Sequence, residues 1–363
     1  MYFRLLFLIV ITFIGSNRIT SEQKAFIEKL APSVKNGGFE MKDYWVWGAS
    51  VIKGEDDKYH MFASRWPKKY PFFNGYIFYS EIVRAVADKP EGPFKFKEVV
   101  MKKRGSQFWD GRTTHNPTIH KYGDTYLLFY IGTTFQKDAP GAKLLEEPLS
   151  QEMQDFKRKT YGNLRIGMAT SKSVFGPWER KDAPILEPRP GKWDDNVTTN
   201  PAPCVVDDGS ILLVYRSNIP EKGTRLGVAK AEKLGAPFKR IRDKYMDFHV
   251  EDPYIWWVED HYEMIAKDQS GKLTEEYQAG VHATSKDGID WTISNPAKAY
   301  SREITWDDGT TVNLGSFERP QLLIEDGKPV CLYCATGDGP GGFRNALRTW
   351  NVATPFKKQT IMY

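Results

Sequence analysis

The sequence predicts an all-β chain folded as a five-bladed β-propeller, with a short N-terminal helix and a long insertion in the second blade. Two repeated features support this fold. A phrase ending in X-Pro opens successive pairs of apolar strands, and a strand of small residues followed by a Gly/Pro-aromatic corner comes after each pair. Because both features share one period, a closed ring of blades is favoured over a β-sandwich or two separate β domains.

The first 16 residues have the form of a signal peptide. Arg4 precedes an apolar run over residues 5–14, and Gly15 and Ser16 end that run. A run of this length is too short to span a bilayer and is typical of a secretory signal. We therefore expect a secreted or periplasmic protein without a membrane span after cleavage. An uncleaved anchor is the alternative, because Ile14 is a poor residue at the cleavage site.

Residues 17–43 are assigned to a lead-in that contains a short helix at 21–30, and residues 44–363 to the propeller. Each repeated unit is an apolar strand, a short acidic or glycine turn, and a second apolar strand, which predicts an antiparallel hairpin. The copies begin at Gly48, Asn116, Asn200, Asp252 and Arg319, and Ala49 replaces the proline in the first copy. The insertion covers residues 138–163, between the second and third strands of blade two, where long loops often bind ligands.

Composition excludes several classes of function. Apolar residues make up 40% and charged residues 27% of the 363 residues, which is typical of a soluble globular protein. The net charge of +5 is spread without a basic block, so we expect no nucleic-acid partner. Three cysteines do not form a disulfide framework. Cys331 and Cys334 are three residues apart in a predicted strand, where they would face opposite sides, so we expect neither a metal pair nor a disulfide. We expect no cofactor, although carboxylates in the funnel would suit a Ca²⁺ or Na⁺ ion.

The X-Pro phrases also locate a candidate site. In a propeller the first strand of each blade lines the central channel, and all five strands enter from the same face. Two sets of residues therefore converge on one funnel. The residues immediately before the aligned Pro or Ala are Gly48, Asn116, Asn200, Asp252 and Arg319. The residues one position earlier are Trp47, His115, Thr199, Glu251 and Glu318. Because side chains alternate along a strand, we expect only some of these ten to face the channel.

A Trp-Asp pair precedes the strand entry three times, at Asp110, Asp194 and Asp307. Two interpretations remain open. These carboxylates either lie at the mouth of the funnel and act in catalysis, or cap turns while the tryptophans pack between blades. Repetition favours the structural interpretation, because a catalytic residue is needed only once.

Acidic X-Pro phrases at the strand starts of a five-bladed propeller resemble the furanosidase-type glycoside hydrolases. These are families 43 and 62, families 32 and 68, and the family 117 agarooligosaccharide hydrolases. The resemblance covers about residues 44–360 and implies a glycosidase. By the family 32 pattern, Asp252 in "EDPYIW" holds substrate hydroxyls and tunes the acid, and Glu318 in "ERPQLL" is the general acid. In family 43 the general base is an Asp at the position of Gly48, and a second Asp stands at the position of Asn116. This chain has neither Asp, so the resemblance does not assign its base or nucleophile.

Glycosidases need two carboxyl groups that flank the scissile bond. The resemblance therefore implies hydrolysis of a plant or algal oligosaccharide, in an exo manner, with Glu318 as acid and Asp252 as its modulator or as base. Glu251, Asp110 and Asp194 are the alternative carboxylates. Substrate would contact Trp47, His115, Asn116, Asn200 and Arg319. A sugar-binding propeller without catalysis and a glycoside phosphorylase are the alternative functions, and the sequence makes no prediction of the oligomeric state.

Overall fold

The computed structural model describes residues 25–358, which form five four-stranded antiparallel sheets and one two-stranded hairpin. The predicted signal peptide at residues 1–16 lies outside the described residues. Each sheet is one blade, and the innermost strands of neighbouring blades contact each other around the ring. The prediction of an all-β five-bladed propeller is therefore confirmed.

The strands of each blade run outward from the channel in chain order. Blade I contains β2 (Tyr44–Lys53), β3 (Tyr59–Pro67), β4 (Glu81–Ala87) and β5 (Lys95–Val99). Blade II contains β6 (Thr113–Tyr122), β7 (Thr125–Thr133), β8 (Arg165–Ser171) and β9 (Glu179–Arg180). Blade III contains β10 (Thr199–Val205), β11 (Ile211–Ile219), β12 (Gly223–Ala231) and β13 (Lys239–Arg240). Blade IV contains β14 (Val250–Val258), β15 (His261–Asp268), β16 (Gly280–Ser285) and β17 (Thr292–Tyr300).

Blade V is completed by a strand from the start of the described chain. Its inner strands are β20 (Glu318–Glu325), β21 (Lys328–Gly337) and β22 (Thr349–Pro355), and β1 (Phe39–Glu40) pairs antiparallel with β22 as the outermost strand. The ring is thereby closed by hydrogen bonds between the two ends of the chain. Phe39 and Glu40 fall within the segment assigned to the lead-in, so part of that segment belongs to the propeller. The hairpin β18 (Glu303–Thr305) and β19 (Thr311–Asn313) connects blades IV and V.

Apolar side chains fill the spaces between blades rather than one central core. Val214, Val228, Ile255 and Met264 pack between blades III and IV, and comparable clusters separate the other neighbouring blades. The three cysteines are buried and unpaired within these layers. The centre of the ring is thus left to the polar residues at the strand starts.

One helix precedes β1, and the others lie in connections between strands. They are a 3₁₀ helix at Phe26–Lys29, α1 (Phe72–Tyr79), a 3₁₀ helix at Ala142–Leu145, α2 (Gln151–Gly162) and a 3₁₀ helix at Phe343–Asn345. The helix predicted at residues 21–30 corresponds, in its described part, to one 3₁₀ turn. The insertion of blade II lies between β7 and β8, and Ser150 caps α2 by accepting a hydrogen bond from the Met153 amide. The α1 helix, which interrupts blade I between β3 and β4, was not predicted from the sequence.

Candidate active site

In blades II to V the innermost strand brings two consecutive residues to the funnel, and in blade I it brings Trp47. At the residue before the aligned Pro or Ala, φ is positive in every blade: 50° at Gly48, 51° at Asn116, 49° at Asn200, 54° at Asp252 and 59° at Arg319. Strand register shifts at the same place in all five blades. A bulge of this kind breaks the alternation of side chains. Nine of the ten predicted residues consequently line the funnel, all except Gly48, so fewer of them are turned away than the alternation of side chains suggested.

The funnel encloses about 380 Å³ and is lined by residues from all five blades. This volume lies within the range of small-molecule sites, roughly 300–1,000 Å³. Because every blade contributes, the cavity is walled laterally by the five blades and opens at the face where their inner strands begin. The insertion of blade II also contributes, since Tyr161 at the end of α2 and Leu164 both line the funnel.

The residues at the positive-φ positions form a chain of side-chain hydrogen bonds. Asn200 Nδ2 donates to Asp252 Oδ1 over 2.6 Å, and Arg319 Nη1 donates to the same oxygen over 2.8 Å. Asn116 Nδ2 points at Asn200 Oδ1 at a distance of 3.5 Å. Four blades are thus linked in series, and the chain is interrupted at Gly48, which has no side chain. Arg319 is the one long side chain held at positive φ in this set, a backbone conformation that costs free energy.

A buried lysine lies between two carboxylates of the funnel. Lys267 Nζ is 3.0 Å from Glu318 Oε2 and 3.0 Å from Glu251 Oε2. Burial raises the pKa of Glu251, but the charges of Lys267 and Arg216 outweigh burial and lower that pKa to about 2. Arg216 Nε contributes from 3.0 Å away. Glu251 is therefore an ionised carboxylate held by two cations.

Glu318 has a different environment. Burial is the largest influence and raises its pKa, the Lys267 charge opposes this, and the Asp252 and Glu251 charges raise the pKa further, so that the net shift is upward. Its Oε2 pairs with Lys267, whereas its Oε1 is buried and has no hydrogen-bond partner among the described residues. Glu318 thus presents one uncommitted carboxyl oxygen in the funnel and holds its proton more tightly than an ordinary glutamate.

His115 lies in the funnel as a neutral imidazole. Burial and the charges of Arg319 and Arg216 lower its pKa to about 3. Its ring meets Tyr76 edge-on, with centroids 5.5 Å apart. At neutral pH this side chain offers a hydrogen bond to a ligand but no acidic proton.

One wall of the funnel is aromatic. The residues on this wall are Trp47, Trp66, Phe72, Phe73, Tyr76 and Phe343. Phe72 stacks on Phe343 with ring centroids 5.2 Å apart, and Trp47 meets both rings edge-on. Phe73 is 55% exposed although it lines the cavity, so a face of its ring is available to a ligand. The charged residues of blades III to V form the opposite wall.

Asp110 and Asp194 do not reach the funnel. Asp110 accepts a hydrogen bond from Tyr130 Oη over 2.7 Å and from Arg104 Nε over 2.7 Å. Asp194 accepts from Tyr215 Oη over 2.7 Å and pairs with Arg189 and Arg240. The preceding tryptophans stack on the same tyrosines, Trp109 on Tyr130 and Trp193 on Tyr215. The same buried contacts occur in both blades, as expected if these aspartates have a structural rather than a catalytic role. In the third copy, Asp307 accepts a hydrogen bond from the Lys35 amide near the β18–β19 hairpin.

Lys267 and the aromatic residues of α1 were not predicted from the sequence, whereas Trp47 of the same wall was. Lys267 lies on β15, directly across from Glu251 on β14. In the same register Arg216 lies across from Thr199, and Ser64 across from Trp47. A lysine inside the apolar run "YEMIAKD" was the available signal. Pairing the hairpin strands from their turn would have placed it beside Glu251.

The described residues contain no group of three His, Cys, Asp or Glu side chains arranged to hold a metal ion. No helix within residues 25–358 is long and apolar enough to cross a membrane.

Comparison with known proteins gives structural matches only. No family model matches the chain, and no curated protein matches its sequence. Zg3597, a family 117 glycoside hydrolase of the marine bacterium Zobellia galactanivorans, superposes with a TM-score of 0.61 at 14% identity, over 90% of this chain and 89% of that one. The fold is the one seen in such hydrolases.

Two further structures extend the likeness. A thermostable family 43 glycoside hydrolase matches with a TM-score of 0.57 at 14% identity, over 89% of this chain and 92% of that one. An α-L-arabinofuranosidase from Lactobacillus brevis matches with a TM-score of 0.54 at 12% identity, over 92% of this chain and 94% of that one. At these identities the likeness establishes the five-bladed architecture.

Proposed function

We propose that the protein is a glycoside hydrolase whose general acid is Glu318. The observation that supports this role is the environment of that carboxyl group. Glu318 Oε1 is buried and unpartnered among the described residues, and burial together with the charge of Asp252 raises the pKa of the group. A proton donor to a glycosidic oxygen needs a raised pKa and a free oxygen. The structural matches to glycoside hydrolases support the same class of reaction.

Asp252 serves as the modulator of the acid in this proposal. It is held by Arg319 and Asn200, and its charge favours the protonated form of Glu318. Glu251 is ionised but engaged by Lys267 and Arg216. Either carboxylate is a candidate for the second catalytic group. Glu251 has both carboxylate oxygens engaged, so a substrate would have to displace Arg216 or Lys267 before Glu251 could act. Both hydrogen bonds to Asp252 end on Oδ1, so its Oδ2 could act as base or nucleophile without displacing a partner.

The shape of the pocket supports a small saccharide bound end-on, which is the geometry of an exo-acting enzyme. The aromatic wall, with the exposed ring of Phe73, suits the apolar face of a sugar, and Asn116, Asn200 and His115 suit its hydroxyl groups. We propose a plant or algal oligosaccharide as substrate. The apolar run at residues 5–14 supports export of the protein to the periplasm or the medium.

The test compares wild type with Glu318→Gln on a panel of plant and algal oligosaccharides and on aryl glycosides. Loss of a general acid typically costs about 10²–10⁴ in rate. We expect that loss on natural substrates and a much smaller one on aryl glycosides, whose leaving group needs no proton. Glu263→Gln is the matched control, because Glu263 is a glutamate of similar burial that lies outside the funnel.

Two results would contradict the proposal. Equal hydrolysis by wild type and Glu318→Gln would exclude Glu318 as the acid. Saccharide binding without product release across the whole panel would instead support a sugar-binding propeller.

A further inference from the structure

The guanidinium of Arg216 lines the funnel, but the protein itself already occupies most of its N–H groups. Its Nε lies 3.0 Å from Glu251 Oε1. Its Nη1 donates to Thr199 Oγ1 over 3.3 Å. Its Nη2 donates to Asn218 Oδ1 over 2.8 Å and to Tyr161 Oη over 3.2 Å. A polar contact to a ligand in this part of the funnel therefore has to come mainly from a neighbouring group.

Two donors fix the orientation of the neighbouring Tyr161 hydroxyl group. Arg216 can only donate, so the Asn218 atom that faces it is Oδ1, and Asn218 Nδ2 is turned toward Tyr161. That Nδ2 donates to Tyr161 Oη over 2.7 Å, and Arg216 Nη2 donates to the same oxygen. A hydroxyl oxygen that accepts two hydrogen bonds has both lone pairs occupied. Its own proton must then point away from both donors.

The Tyr161 proton has no acceptor in the described part of the chain, where Tyr161 Oη takes part in hydrogen bonds only as the acceptor. Tyr161 is partly buried and lines the funnel, so a ligand in the cavity can reach it. A donor whose oxygen accepts from a charged guanidinium is polarised and strengthened. Because a donor without a partner is unfavourable in a partly buried site, an oxygen of the ligand is the acceptor that this geometry lacks.

The charge balance favours a neutral oxygen at this position. Arg216, the cation behind Tyr161, is paired with the ionised Glu251. Tyr161 therefore faces the funnel without an unbalanced charge directly behind it, and a hydroxyl group of a neutral sugar meets its requirement for an acceptor.

We propose that Tyr161 is a substrate-binding residue that donates its hydroxyl proton to a hydroxyl oxygen of a bound neutral sugar. This inference rests on the proposed function for the ligand being a saccharide. Arg216 and Asn218 are positioning residues, because they set the direction of the proton. The insertion of blade II thereby contributes to specificity, since a sugar without that hydroxyl group leaves the Tyr161 proton unpaired.

The first test measures binding of galactose, glucose, arabinose and xylose to wild type and Tyr161→Phe by calorimetry. The substitution keeps the ring and removes the hydroxyl group. We expect the affinity for the sugar that binds best to fall about three- to tenfold. One monodeoxy form of that sugar should bind both proteins equally, and it identifies the hydroxyl group that is contacted. Tyr59→Phe is the control and should bind as wild type does, because Tyr59 donates to Glu325 outside the funnel.

Asn218→Asp separates donation of the proton from support of Arg216. The new carboxylate still accepts from Arg216, but it accepts the Tyr161 proton instead of donating to Tyr161. We expect sugar affinity to fall to a similar extent as in Tyr161→Phe, although the tyrosine is retained. If Asn218→Asp binds sugar as wild type does while Tyr161→Phe does not, Tyr161 serves only to hold Arg216 and the proposal is wrong. Unchanged binding in Tyr161→Phe, or a wild type that binds no saccharide of the panel, overturns it as well.

Failure of this inference and failure of the proposed function are distinguishable. Hydrolysis that Glu318→Gln abolishes and that Tyr161→Phe leaves unchanged in KM would keep the hydrolase and remove the role of Tyr161. Sugar binding that is weakened by both Tyr161→Phe and Asn218→Asp, in a protein that cleaves no glycoside of the panel, would keep the role of Tyr161 and remove the hydrolase.

Discussion

Lys267 Nζ lies 3.0 Å from Glu318 Oε2, so the proposed proton donor is paired with a buried cation on one side and free on the other. The pairing has two consequences. It fixes the carboxyl group with Oε1 buried and unpaired, and it limits how far burial can raise the pKa of Glu318, because the ammonium charge favours the carboxylate. Lys267 therefore sets the pH range in which the acid keeps its proton.

Lys267→Met should shift the alkaline limb of the pH–activity profile upward. The substitution keeps the length and removes the charge that lowers the pKa of Glu318. Activity requires protonated Glu318 and is lost as pH rises through its pKa, so the variant should retain activity to higher pH. The measurement is kcat/KM as a function of pH. Lys172→Met, which removes an exposed pairing with Asp124, is the control. An alkaline limb that stays in place or moves to lower pH would exclude this role of Lys267.

Glu251→Gln should reduce stability at neutral pH but not in acid. The pKa of Glu251 is lowered to about 2 in the folded protein, from an ordinary value of 4.5. A lowered pKa stabilises the fold above the unfolded value, and that contribution is lost as pH falls toward the folded value. Breaking a buried ion pair costs about 3–5 kcal/mol, so a loss of this order is expected at pH 7. Denaturant unfolding at several pH values measures the free energy of unfolding of wild type and Glu251→Gln. If the difference between them does not shrink between pH 5 and pH 2, the prediction is wrong.

Asp110→Asn and Asp194→Asn should lower stability without changing the chemistry. Each aspartate is buried between a tyrosine hydroxyl and arginines, outside the funnel. Removing the charge leaves Arg180 or Arg240 without its acidic partner among the described residues, and breaking a buried ion pair in this way costs about 3–5 kcal/mol. Thermal unfolding should report the loss, while kcat/KM per folded molecule stays at the wild-type value. A fall in kcat/KM with unchanged stability would make these residues catalytic candidates again.

Much of the fold was predictable because the strand starts repeat. The X-Pro phrases mark the innermost strand of blades II to V, and the order of hairpins along the chain follows from them. The funnel was predictable only in part. Alternation of side chains along a strand suggested that Glu251 and Asp252 would face opposite sides, as would Glu318 and Arg319. The bulge at each positive-φ residue cancels that alternation, and only the backbone conformation reveals it.

Residues outside the repeated phrases were harder to place. Lys267 enters the site through its register opposite Glu251, which depends on the length of the turn between β14 and β15. Tyr161 enters from the insertion, where its hydroxyl group accepts a hydrogen bond from Arg216 over 3.2 Å. Neither contact follows from local sequence pattern, because each depends on how separate parts of the chain pack around the ring.

Phe73→Ala should weaken substrate binding with little effect on stability or on the chemical step. The ring is 55% exposed and lies on the aromatic wall, so its removal leaves no buried cavity but takes away a stacking surface for a sugar ring. We expect KM for oligosaccharides to rise severalfold while kcat changes little, because stacking holds bound sugar and transition state alike. Leu347→Ala is the control, because Leu347 is 83% exposed and is not part of the funnel. An unchanged KM for Phe73→Ala, or an equal change in the control, would mean that the aromatic wall does not contact substrate, and the sugar would then have to bind against the charged wall of blades III to V.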